Sequence, residues 1–222
     1  MITIENLKQG IGFDGAIFDL DGTLLDSMKI WRAIDEAFFA ERGIPFDPHF
    51  CDIVAPIGLV ASAEYAIRQF GLTDTAEQLC AIWHGMAVEK YANEIELKPG
   101  AYAYIQRLKR CGKRLAIATA SGRELILPAL RRTGLLPFFD AVCTCDEVAR
   151  PKGYPDICLY AAGRLGLAPG RCIVFEDALP GMQSGKAAGM PVVAVYDRSA
   201  DSSRDAIRAT ADLCIDGFVE LL

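Results

Sequence analysis

With 222 residues, 52% of them apolar, and a formal net charge of −6, the chain is long and hydrophobic enough for one full core or a core with an insertion. Its basic residues are scattered apart from short pairs such as Lys113-Arg114 and Arg131-Arg132, so no surface for a polyanion is expected and nucleic acid is excluded as a partner. The start through Phe13 lacks the basic-then-apolar order of an export signal, and no stretch approaches the roughly 18 uninterrupted apolar residues of a membrane span; the expectation is a cytoplasmic protein with no membrane partner, monomeric or weakly dimeric.

The first element is a buried strand, Ala16-Ile17-Phe18, that runs into Asp19-Leu20-Asp21 and is broken at Gly22. Alternation places Asp19 and Asp21 on one side, where two carboxylates repel by about 4 kcal/mol at an effective dielectric near 20, so a divalent cation between them is the expected solution. A calcium loop of the D-x-D-x-D-G type is ruled out, because its twelfth position, counted from Asp19, is Ile30 rather than a glutamate. Met28, Trp31, Ile34 and Phe38 then recur at helical spacing, with Asp26 or Ser27 as N-cap and Gly43 as stop. Helices over 61–70 and 75–91 follow, so residues 27–96 form a helical block, while 1–26 and 97–222 form the rest.

From Pro99 onward helices and strands alternate. A helix over 101–111, with Pro99 in its first turn, precedes a strand at 115–118; Ser121 and Glu124 have the spacing of a capping box for the next helix, which Pro128 bends or begins. Strands at 141–145, 172–175, 191–196 and 211–215 alternate with helices at 155–165, 180–188 and 203–210. Short Val-, Ile- and Ala-rich strands separated by ten-residue helices predict an α/β fold: a Rossmann-like parallel sheet with helices on both faces and a helical insertion after the first strand. Ligands in such sheets bind beyond the carboxyl ends of the strands.

Those ends collect Asp19 and Asp21, Thr119, Lys152, and Glu176 with Asp177. Taken singly, each has a structural explanation: a strand-end hydroxyl, a surface charge, an acidic helix start. Together, four carboxylates with one ammonium and one hydroxyl make a magnesium site able to hold a phosphoryl group. The eight cysteines include no C-x-x-C pair and no neighbouring histidine, which argues for buried free thiols rather than zinc or disulfides, with Cys143 and Cys145 on one strand face. Gly181-Met-Gln-Ser-Gly-Lys186 is too short between its glycines for a phosphate-binding P-loop and carries Ala187 where a metal-binding hydroxyl belongs; it is read as a helix start.

The set Asp19-x-Asp21-Gly22-Thr23, Thr119, Lys152 and Glu176-Asp177 resembles the four ordered motifs of the haloacid dehalogenase superfamily, in the phosphatase and beta-phosphoglucomutase-like branch that carries a helical cap. The resemblance implies a Mg2+-dependent phosphatase acting on a small phosphorylated metabolite. Asp19 would be the nucleophile and Asp21 the acid and base. Thr119 and Lys152, with main-chain N–H groups at Gly22, Ala120 and Ser121, would hold the phosphoryl oxygens. Magnesium would lie on Asp19, the carbonyl of Asp21, Glu176 and Asp177. One departure is Gly153, where the family usually has Lys-Pro-x-Pro-Asp; it is expected to loosen the loop that holds Lys152. A sugar-phosphate mutase is disfavoured, because no Arg or Lys lies between Arg42 and Arg68 to take a second phosphate, although Lys29, Arg32 and Arg68 stand nearby in sequence. Dehalogenases of this superfamily lack the second acid, which Asp21 supplies here, and a non-catalytic phosphate-binding regulator would have lost part of the set. Arg123 is assigned either to substrate or to solvent, and Ile30, Trp31 and Ile57-Gly58 are candidates for selecting substrate.

Overall fold

The computed structural model of the chain describes residues 2–47, 49–54 and 59–222. Two compact units divide it, Met1–Asp26 together with Glu96–Leu222, and Ser27–Ile95. In chain order the elements are α1 (Ile4–Gln9), β1 (Gly15–Phe18), α2 (Met28–Glu41), α3 (His49–Val54), α4 (Leu59–Phe70), α5 (Ala76–Asn93) and α6 (Ala101–Arg110). There follow β2 (Arg114–Thr119), α7 (Arg123–Arg132), β3 (Ala141–Thr144), α8 (Asp156–Leu165), β4 (Cys172–Glu176), α9 (Leu179–Ala187), β5 (Val192–Val195), α10 (Arg204–Thr210) and β6 (Leu213–Ile215). Among the described residues no helix is long and apolar enough to cross a membrane.

The first unit is built on one six-stranded sheet in the order β3-β2-β1-β4-β5-β6, with every neighbouring pair parallel. Gly15 pairs with Arg114 on one side and Cys172 on the other, so β1 is central and the strand order reverses around it. All four β1 side positions are buried, which is why its sequence is apolar throughout instead of alternating. One sheet face carries Ile17, Ala118, Val174 and Val192 against residues of α8, α9 and α10. On the other, Phe18 stacks on Phe175 at 4.6 Å, and Tyr104 of α6 and Phe218 close over them. The small residues of the first face let helices approach closely, while the rings of the second fill the space beneath α6.

The second unit is helical. Phe38 and Phe39 of α2 pack against Trp83, Phe50 and Phe70 with centroids 4.7–5.2 Å apart, and Thr75 with Gln78 closes a capping box at the start of α5. Ile30 is buried and the ring of Trp31 meets that of Tyr91 edge-on at 6.2 Å, so both contribute to the packing of this unit. Ile57 and Gly58 lie outside the described residues. Arg32 pairs with Glu36 and Arg68 with Glu64 one turn away on their own helices.

Several local expectations are corrected. Helices α1 and α3 were not foreseen, because six residues are too short for a 3.6-residue period to register. Ser27 occupies the N-cap position of α2 without a capping side-chain bond, and Pro99 precedes the N-cap Gly100 of α6 instead of opening the helix. Pro128 sits inside α7. Strand β3 stops at Thr144 and Cys145 opens a 3-10 turn, so Cys143 and Cys145 do not share a strand face. All eight cysteines are free, yet only Cys143, Cys158 and Cys172 are buried, while Cys111 and Cys214 are exposed. As expected, Gly181 stands in the first turn of a helix, α9, which runs on through Lys186, and Lys186 pairs with Asp212 at 2.7 Å.

Candidate active site

Two strands that flank the sheet's centre deliver the acids. Asp19 is the first residue past β1, held by its N–H on the carbonyl of Phe175 at 2.9 Å; Glu176 ends β4 and Asp177 follows it. Lys152 comes from the loop between β3 and α8, and its ammonium donates both to Asp19 Oδ1 and, at 2.5 Å, to Glu176 Oε1. The other oxygen of Glu176 accepts the N–H groups of Asp177 and Ala178 at 2.7 and 2.8 Å, so one carboxylate fixes the turn into α9 and the lysine at once. Thr23 Oγ1, fully buried, donates to Asp177 Oδ1 at 2.8 Å. Gly22 lets that carboxylate approach, since a Cβ there would collide with it.

Asp19, Glu176 and Asp177 are at most 5% exposed and each presents one oxygen within 4.8 Å of the others. Fully ionised, three carboxylates against one ammonium would leave two negative charges in a desolvated pocket. Burial, reinforced by the charge of Glu176, pushes the Asp19 carboxyl up to about 6 in spite of Lys152 and the Leu20 N–H. Burial, with the charges of Glu176 and Asp19, likewise drives Asp177 well above its ordinary range. Burial alone would lower Lys152, but Asp19 and Glu176 outweigh it and hold the amine firmly protonated. An all-oxygen donor set with unbalanced negative charge fits a hard divalent cation.

A second group lies around Asp21. Ser121 Oγ donates to Asp21 Oδ2 at 2.6 Å across a sequence separation of 100, and Thr119 Oγ1, 1% exposed, accepts the Ser121 N–H at 3.0 Å. These contacts correct one expectation. Ser121 does not cap α7, whose N-cap is Gly122, because its hydroxyl is spent on Asp21. The Gly22 N–H donates to the Leu25 carbonyl at 3.0 Å and the Ser121 N–H to Thr119 Oγ1 at 3.0 Å. The carboxyl of Asp21 is not in the group formed by Asp19, Glu176 and Asp177. Arg123 is tied to the Val142 carbonyl at 2.8 Å and to Glu147 at 3.0 Å, which gives it a structural role on β3. Sequence reasoning missed the side-chain role of Thr23, although it stands within the motif that drew attention to Asp19, and that of Ser184 in α9, described below.

A family model described as haloacid dehalogenase-like hydrolase matches residues 16–195. The chain is 34% identical over 192 residues to hexitol phosphatase A of Escherichia coli, covering 86% of each protein. It is 32% identical over 192 residues to the fructose-1-phosphate phosphatase YqaB of the same organism, covering 82% of this chain and 96% of the relative. Among solved structures, CbbY from Rhodobacter sphaeroides in complex with phosphate superposes with a TM-score of 0.79 at 26% identity, covering 94% of this chain and 96% of the other.

Proposed function

The chain belongs to the haloacid dehalogenase-like hydrolases, and from that premise we propose that it is a Mg2+-dependent phosphatase that hydrolyses a small phosphorylated metabolite through an aspartyl-phosphate. The observation that carries the reading is the buried group of Asp19, Glu176 and Asp177 bridged by Lys152. A phosphate dianion approaches three carboxylates only where cationic charge offsets them. Asp19, Glu176 and Asp177, with the main-chain carbonyl of Asp21, would hold Mg2+, which supplies the charge that neutralises the phosphoryl oxygens and the carboxylates around them.

In the first step an oxygen of Asp19 attacks phosphorus, the bond to the ester oxygen breaks, and Asp21 gives its proton to the departing alkoxide. In the second, the Asp21 carboxylate takes a proton from water, the water oxygen attacks phosphorus, and the acyl-phosphate bond breaks to release orthophosphate and restore Asp19. Lys152 and Thr119, with the main-chain N–H of Ala120, hold the phosphoryl oxygens in line. The helical unit Ser27–Ile95 would act as the cap that selects substrate, and the names of the relatives make phosphorylated sugars and sugar alcohols the first panel to assay. Asp19→Asn keeps the shape of the side chain while weakening the nucleophile. Its phosphate release is expected to fall by about four orders of magnitude with its melting temperature retained; undiminished turnover removes Asp19 from the reaction.

A further inference from the structure

We infer that Ser184 is a positioning residue for Lys152: through a hydrogen bond to Gly153 it pins the loop that presents the ammonium to the site. The inference rests on Lys152 having the phosphate-holding role proposed above. Ser184 lies in the middle of α9, fully buried, and its hydroxyl proton goes to the Pro180 carbonyl one turn earlier at 3.1 Å. With that proton committed, the lone pairs of Oγ accept the Gly153 N–H at 2.8 Å. Gly153 is the residue directly after Lys152 and has φ +106, a conformation that side chains strain against and that proline, locked near −65°, is unable to adopt. A proline would also have no N–H to give. The glycine therefore does not loosen the loop, as its sequence suggests; it exchanges a rigid ring for a hydrogen bond to the helix behind it.

The same helix grips the far end of the lysine contact. Glu176 Oε1, the second acceptor of the ammonium, lies where a Cβ on Gly181 would collide with it, so the first turn of α9 is shaped to seat that carboxylate. One turn on, Ser184 holds the backbone next to Lys152. Asp19, Lys152, Glu176, Gly181 and Ser184 line one small cavity, so the ammonium, its two carboxylate acceptors and the two α9 residues converge on the same point. Helix α9 thus fixes both the carrier of the ammonium and one of its two anchors.

The test is a double-mutant cycle read by direct titration of the magnesium-loaded protein with inorganic phosphate. Ser184→Ala removes the acceptor with almost no change in volume and is expected to weaken phosphate binding about fivefold, the size of one net hydrogen bond. In a Lys152→Ala background the same change is expected to weaken it no further, whereas general damage to the core would add equally in both backgrounds. Amide exchange supplies a readout free of ligand: the Gly153 N–H is expected to be protected in the parent protein and to exchange at least about fivefold faster in Ser184→Ala, with the amides of α9 unchanged. Unaltered phosphate affinity in Ser184→Ala, equal losses in both backgrounds, or an unprotected Gly153 amide overturns the inference. A Lys152→Ala protein that binds phosphate as tightly as the parent instead removes Lys152 from the site, and both readings fall together.

Discussion

Asp21 and Ser121 show how much of the chemistry rests on single hydrogen bonds. A carboxyl that must meet a departing oxygen needs a set orientation, and the Ser121 hydroxyl at 2.6 Å supplies one without adding charge. Ser121→Ala leaves every main-chain group in place, so its effect should depend on how much the leaving group needs a proton. We expect roughly a tenfold loss of kcat on alkyl phosphates and about a twofold loss on an aryl phosphate whose phenol departs unaided. Equal losses on both would show that Ser121 does not act through Asp21. The sequence made Ser121 a helix cap because Ser and Glu at that spacing form capping boxes; the competing acceptor, 100 residues distant, is invisible to a local pattern.

At the scale of elements, β1, β2 and β4 were legible because buried apolar runs bounded by turn residues are a local signal, and Asp19, Thr119 and Glu176 stand at or just beyond their ends. Short elements such as α3 were not. One consequence sits between α2 and α3, where the Cys51 thiol donates to Asp35 Oδ2 at 3.4 Å. Burial raises the Asp35 carboxyl to about 6, against the lesser pull of the Cys51 hydrogen bond. An acid raised in the folded state destabilises as pH climbs from its ordinary 3.8 to about 6, because the unfolded chain ionises first and the folded chain does so at a cost. Asp35→Asn is therefore expected to melt higher than the parent above pH 6, with the advantage vanishing below about pH 4. A constant difference at every pH would mean that Asp35 is not the titrating group.

For the molecule as a whole, the concentration of like charge in the first unit is a cost that a bound cation relieves. Any ligand that binds only the folded state stabilises it by mass action, so the melting temperature is expected to rise steadily with the logarithm of magnesium concentration. Asp177→Asn, which removes a candidate metal ligand and a buried carboxyl that ionises only at a cost, should flatten that rise while melting higher than the parent in chelator. A melting temperature indifferent to magnesium in the parent would remove the metal from the site. What the sequence determined by itself was the parallel α/β architecture and the kind of group waiting at each strand end, because hydrophobic period and turn chemistry are properties of neighbouring residues. Which groups meet was decided only by the tertiary structure: Lys152 with Asp19 and Glu176, Thr23 with Asp177, Ser121 with Asp21, and Ser184 with Gly153. Those pairs are separated by 24 to 154 residues, and a hydrogen bond tolerates only a few tenths of an ångström, a precision that the packing of the sheet and α9 supplies and local pattern does not carry. Asp19, first seen as one of two acids at a strand end, acquires its partners only when β1 lies beside β4 and the Lys152 loop is drawn onto the helix that follows.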